Sequence, residues 1–248
     1  MTGSIVINQV IILFLIMIIG FYAKKRDIIN QETRKKLSEI LVRITLPAMI
    51  IYSYNQEFSQ ELLQNSWIMI IYSFGIHIFT AIISGFIFNK FPKNIKDILK
   101  FATVYSNCGY MGLPILEALY GKIGIFYASM YITAYNVFTW TNGVMIFTGE
   151  KNAKAFKKAL LNPGIIAVFA GMIIFIFSIK LPYPVLKTCE ILGTMTTPLS
   201  MLIIGSLIAD VNFKELFSGW ALYYISLIRL LILPLFVLSV LKISGVND

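Results

Sequence analysis

The sequence predicts an all-helical integral membrane protein, a bundle of about eight membrane-spanning helices organised as an inverted repeat. Three observations carry that prediction. Of the 248 residues, 58% are hydrophobic and only 13% charged, whereas soluble domains run nearer about 45–50% apolar and about 25% charged. The apolar residues fall in long continuous runs, close to the roughly 20 residues an α-helix needs to cross the hydrocarbon. A twelve-residue stretch also recurs at an offset of 151. Such a composition excludes a soluble cytosolic domain and a disordered chain alike. Barrel strands are excluded because they alternate over about ten residues, and these runs do not.

The runs cover approximately 5–22, 37–54, 67–88, 98–119, 123–148, 163–179, 185–209 and 220–243. Segment one stays in the membrane: no positive region precedes it and Lys24-Lys25-Arg26 follows it directly, unlike a secretory signal. Segment two carries Glu39 and Arg43, four apart on one face and thus expected to pair. Pro47 is expected to kink it. Segment three holds His77, the sole histidine, in mid-span; histidine can relay protons near neutral pH, and as a lone residue it also reads as a hydrogen-bonded packing group. Segment five holds Asn136 beside Tyr135, a buried polar group for substrate or structure. Segment seven holds Pro198 and Glu190. In the repeat Glu190 faces Thr194 where Glu39 faces Arg43, which leaves it less compensated and a candidate for proton coupling. Segment eight holds Arg229 about 15 Å deep at 1.5 Å per residue, either to attract an anion or to pair within the bundle. Glu117 and Asp210 lie near span ends and are expected to reach the interface. Trp67, Trp140 and Trp220 read as interfacial anchors.

Charge sets the topology. Fifteen of the 21 Lys and Arg lie in the loops after segments one, three, five and seven, and four lie on the other side. The positive-inside rule puts these basic loops in the cytoplasm and the N-terminus outside, in a multi-pass protein of the cell membrane. The net charge of +9 is thereby explained by topology: the partner is the lipid bilayer, and nucleic acid is excluded. Cys108 and Cys189 stand far apart without ligand-like spacing, so no metal site or disulfide framework is expected. No nucleotide loop, HExxH, GxSxG or pair of intramembrane aspartates occurs. The sequence therefore predicts no enzyme, no catalytic residue and no cofactor.

The repeat is read by laying KLSEILVRITLP (36–47) over KTCEILGTMTTP (187–198), with six identities in twelve; the same offset places Gly20 on Gly171. Segment six then restarts segment one. A unit of five spans is odd, so the second unit enters from the opposite side, an architecture recurrent in secondary transporters. The chain divides into a first five-helix repeat (1–149), a basic cytoplasmic linker (150–161) and an incomplete second repeat of three helices (162–248).

Segment four, FATVYSNCGYMGLPILEALYG (101–121), is the most informative. Pro114 has no N–H for the carbonyl of Tyr110, and Gly109 and Gly112 weaken the helix further. Backbone left unpaired at this depth is tolerated where it is buried or lines a wet cavity. Two half-helices meeting near 112–114 are expected, the second offering free amides and partial positive charge to an anion. Asn107 adds a neutral donor and acceptor. A plain kink that eases packing is the alternative reading.

SNCGYMGLPI (106–115) resembles the fourth-helix crossover of the auxin efflux carrier family, which includes bacterial malate permeases: Asn107, Met111, Gly112 and Pro114 match its pattern one by one. TLPAMI (45–50), YNVFTWTNG (135–143), NPGIIA (162–167) and TTPLSMLIIGSLIA (196–209) support it across the chain. The resemblance implies a ten-helix, inverted 5+5 fold with crossed helices four and nine. It implies carriage of small organic anions, such as malate or auxin-like acids, by alternating access of elevator type, in a homodimer. Asn107, Tyr110, Gly112, Pro114 and Asn136 become the expected substrate-binding residues, with Glu190, Arg229 and His77 for ion or anion coupling. One departure stands out. The counterpart of 104–115 would begin at 255, past Asp248, so the last two helices of that pattern are absent from the sequence. The alternative to a transporter is therefore a truncated, non-transporting membrane protein or a scaffold subunit needing a partner chain.

Overall fold

A computed structural model describes residues 2–148, 161–212 and 219–243, apart from the side chains of residues 2–6, 94 and 140; every element among the described residues is helical, with no strand. The linker at 150–161, except its last residue, and the side chain of Trp140 lie outside this description. Helix α1 (Thr2–Lys25) ends on Lys24 and Lys25, cations at the carbonyl-rich end of its dipole. Helix α2 (Gln31–Tyr54) begins well before its apolar run, because Asn30 caps it by accepting from the Thr33 amide at 2.9 Å. Ser59 caps α3 (Gln60–Ile87) in the same way, through the Leu62 amide. There follow α4 (Lys93–Val104), α5 (Leu113–Phe138), α6 (Val144–Thr148) and α7 (Pro163–Ile176), the last capped by Asn162 at the Gly164 amide. Helices α8 (Tyr183–Ile208), with a turn at Met195, and α9 (Trp220–Ile243) complete the described chain.

Among the described residues, five helices are long and apolar enough to cross a membrane: α1 from Ile7, α2, α3, α8 and α9; α7 is a shorter apolar helix. The fourth predicted segment is not a straight span, and the turn expected between the fourth and fifth falls at Gly121, where α5 divides. Segment four is interrupted between α4 and α5. Within α5, Gly121 adopts φ 59° and ψ −142°, a conformation that strains any residue with a Cβ. The chain folds back there so closely that Gly124 lies against the Leu116 backbone.

Three of the helices contain, or begin from, a widened π-type turn immediately before a Leu-Pro dipeptide. The turns at Leu41–Thr45, Cys108–Gly112 and Ile228–Ile232 precede Leu46-Pro47, Leu113-Pro114 and Leu233-Pro234. Proline cannot donate to the carbonyl four residues back, and its ring crowds that carbonyl. Widening the turn relieves the clash, and each leucine N–H then donates five residues back, to Leu41, Cys108 and Ile228. A fourth such turn, Thr139–Gly143, has no proline behind it. The two repeat-mate prolines differ accordingly: Pro47 follows a π-type turn in α2, whereas Pro198 follows the turn at Met195 that divides α8.

Small residues set the helix crossings. Helix α1 packs on the second half of α8, with Gly20 against the Leu202 backbone and Gly205 against that of Met17. Helix α7 packs on α2, where Gly171 lies beneath the Tyr54 ring. The buried Tyr54 also meets Phe126 at 4.7 Å between ring centres and shares a 2.8 Å hydrogen bond with Ser129. A second cluster, Phe88, Leu99, Ile225 and Ile228, seats α9 on α3 and α4.

Polar contacts correct two sequence expectations. Glu39 pairs with Lys36 at 3.6 Å instead of with Arg43. Glu190 is compensated by Lys187 at 3.1 Å, one turn earlier on the same helix, so the loss of an arginine at 194 does not leave it bare. At the end of α8, Asp210 binds Arg34 at 2.6 Å and Lys24 at 3.6 Å, while Lys25 donates to the Ala209 carbonyl. The arginine beside Asp210, with Lys24 behind it, holds its carboxyl below the usual aspartate range.

Candidate functional site

The break in segment four lies at residues 105–107, some residues ahead of the expected 112–114. Helix α4 stops at Val104, and Tyr105 (φ −107°, ψ 105°) and Asn107 (φ −79°, ψ 61°) leave the helical region. Gly112 remains helical at φ −69°, and Pro114 follows the widened turn without ending the half-helix, its missing N–H accommodated there as at Pro47 and Pro234. Asn107 decides the position. Its side-chain oxygen accepts from the Tyr110 amide at 3.2 Å and its carbonyl accepts from Met111 and Gly112, so it caps the second half-helix.

Both ends of the break are tied down. On the α4 side, the Arg229 guanidinium of α9 donates to the Thr103 carbonyl at 2.5 Å, placing a cation on the negative end of that helix. Tyr105 reaches the other way: its hydroxyl lies 2.8 Å from the Phe138 carbonyl and 3.0 Å from the Asn142 side chain. Gly143 makes room for this arm, since a Cβ there would press on the Phe101 and Tyr105 rings. Three of the four π-type turns thus meet at one place.

A cavity of about 1350 Å³ opens beside the break. Asn65, Met69 and Tyr72 of α3 form one wall, Ser106, Asn107, Cys108 and Gly112 the floor, and Leu116, Tyr127 and Tyr131 of α5 the far wall. Its lining is apolar with amide and hydroxyl groups set into it, and no lining residue carries a formal charge. Asn65 donates to the Tyr127 hydroxyl at 3.4 Å, and Tyr131 and Ser106 also line the cavity. An apolar cleft with a few polar groups, beside helix amides aligned by their dipole, suits a small ligand with one negative end.

Of the residues expected from sequence, Asn107 and Gly112 line this cavity. Tyr110 packs against the apolar core, and Pro114 is buried in α5. Asn136 lies beside Gly164 at the start of α7. Glu190 is paired on the outer face of α8. His77 and Arg229 form a layer behind the cavity. His77 is 1% exposed, its Nδ1 lies 2.7 Å from the Ser73 carbonyl, and its ring is flanked by Tyr131 at 5.1 Å and Phe138 at 5.2 Å. Tyr105, Asn142 and Asn65 were not singled out from sequence. The recurring Leu-Pro pair was the available signal, since it marks two of the turns, at 108–112 and 228–232, that converge on the break. Among the described residues no cluster of three metal-ligating side chains occurs.

The profile of a family described as membrane transport protein matches residues 5–157 and 150–248. An uncharacterized transporter of Methanocaldococcus jannaschii is 24% identical over 210 residues, which is 80% of this chain and 67% of that protein. An uncharacterized transporter of Methanothermobacter thermautotrophicus is 24% identical over 97% of this chain and 80% of its own length.

Proposed function

The chain belongs to the auxin efflux carrier family of membrane transport proteins, and we propose that it carries small organic anions, malate or auxin-like acids, by alternating access at the break in segment four. The observation that carries this reading is the opening of an Asn107-capped half-helix into an uncharged cavity of about 1350 Å³. A carboxylate is held there by amides and the helix dipole, without a permanent countercharge, so it can leave as readily as it arrives. The side-chain NH2 of Asn107 and the amides of Cys108 and Gly109 hold the anion, since those of Tyr110, Met111 and Gly112 are already taken by Asn107; Tyr110, Pro114 and Asn136 shape the surrounding bundle.

The inverted repeat, with its units at 1–149 and 162–248, is supported by the packing. Adding 151 to Gly20 gives Gly171, and adding it to Tyr54 gives Gly205. The crossing of α1 on α8 and that of α7 on α2 are therefore built at equivalent positions. Motion is of elevator type, within a homodimer whose N-termini face outward and whose basic loops lie in the cytoplasm.

Uptake of labelled malate and of indole-3-acetate into proteoliposomes tests the reading. Asn107→Ala should abolish uptake while membrane insertion persists. Asn107→Asp keeps the cap but sets a negative charge beside the site, and should also abolish it. Uptake at the wild-type rate in either variant would overturn the assignment.

A further inference from the structure

His77 is the sole histidine of the chain and is buried among rings, with one nitrogen committed and the other without a hydrogen-bond partner. A carbonyl only accepts, so Nδ1 carries the proton that meets Ser73, and Nε2 is the bare, basic nitrogen of the neutral ring. A buried acceptor left unpaired is destabilising, and proton capture at Nε2 converts that lone pair into an N–H. The titratable groups packed against it are Tyr131 and Tyr135 of α5, with Tyr105 and Cys108 one contact further out, and Arg229 of α9, seated on the Thr103 carbonyl, acts on it through space. Among the described residues none of these is a carboxylate, and Arg229 has no acidic partner within 4.0 Å. Tyr131 connects His77 to the cavity, packed on the histidine ring and itself part of the lining.

We propose that His77 is a proton-binding site coupled to occupancy of the cavity by an anion, with Arg229 as the charge that enforces the coupling; this rests on the anion reading above. In the step, a proton from water adds to the Nε2 lone pair and imidazole becomes imidazolium, while the Nδ1 bond to Ser73 is kept. In the empty protein the new cation would share a low-dielectric layer with the Arg229 guanidinium, which opposes proton uptake. A carboxylate at the break supplies the missing negative charge to both cations. Anion binding and proton uptake then favour each other by the same factor, since linkage is reciprocal. The carried species becomes an anion together with one proton.

Nitrogen NMR of histidine-labelled protein reads this directly, because one residue gives the whole signal. In the purified wild-type protein the neutral ring should show protonated Nδ1 and bare Nε2. Saturating malate or indole-3-acetate should move its titration midpoint upward by about one pH unit, a roughly tenfold tighter hold on the proton. Arg229→Gln should raise the midpoint of the empty protein, and Arg229→Lys should leave it near wild type. In proteoliposomes His77→Gln should lose the response of uptake to a pH gradient. A neutral ring protonated on Nε2 overturns the proposal. So does a midpoint unmoved by an acid that demonstrably binds, an outcome that leaves anion carriage intact. If neither acid binds, both readings fall.

Discussion

Single side chains separate structural from functional work in this protein. Asp210, held by Arg34 and Lys24 where α8 meets the ends of α1 and α2, has a carboxyl depressed below its ordinary value. Its contribution to stability is therefore complete above the ordinary aspartate value of about 3.9 and fades as the pH falls through the lower, folded-state value. Melting curves of wild type and Asp210→Asn should differ at about pH 6 and converge in strong acid. Cys108 offers a different readout, because it lines the cavity whereas Cys189 sits on α8 away from it. In a Cys189→Ser background, alkylation of Cys108 by N-ethylmaleimide should slow when malate or indole-3-acetate is present. Protection equal in the Asn107→Asp variant would argue that the acid binds elsewhere.

Elements show where sequence reasoning reached and where it stopped. The interruption of segment four was legible because Gly109, Gly112 and Pro114 cluster at mid-span, yet its position was misplaced. Breaking power was assigned to proline and glycine, whereas Asn107, by capping the Tyr110 amide, starts a helix that the proline then accommodates. Glu190 was misread for a similar reason: its partner Lys187 lies one turn back, outside the repeat-based comparison with Arg43. The convergence of three widened turns could not be read at all, since it depends on how α5 and α9 pack on α4. Those turns are testable. Pro234→Ala restores an N–H and permits a regular helix through 228–232, which rotates Arg229 away from Thr103. Helix content should be kept or raised while uptake falls at least tenfold. Uptake at the wild-type rate would show that the turn serves packing alone.

At the scale of the whole molecule, the membrane class and the far ends of the long helices followed from composition and apolar runs, whereas α2 and α3 begin at Gln31 and Gln60, well before their apolar runs, where Asn30 and Ser59 cap them. The crossings were hidden, because periodicity does not say which glycine meets which backbone. Gly20 and Gly171 were nevertheless aligned by the repeat before either contact was visible, and both prove to be points of close approach, to Leu202 and to Tyr54. Gly20→Val and Gly171→Val should each destabilise the protein by about 1–3 kcal/mol, as overpacked sites do. The measurement is thermal unfolding in detergent, and a negligible shift in either would separate the two crossings. The tethering of Thr103 by Arg229 has one more consequence. A broken helix exposes two poles of opposite sign, and left open both would attract ions. Here the carbonyl pole is covered by a guanidinium, while the amide pole stands at the floor of an uncharged chamber. A sodium or potassium ion at this depth would exchange its hydration shell for a repulsive neighbour. On the proposed anion reading, the junction would discriminate by the sign of the charge before shape or size is consulted.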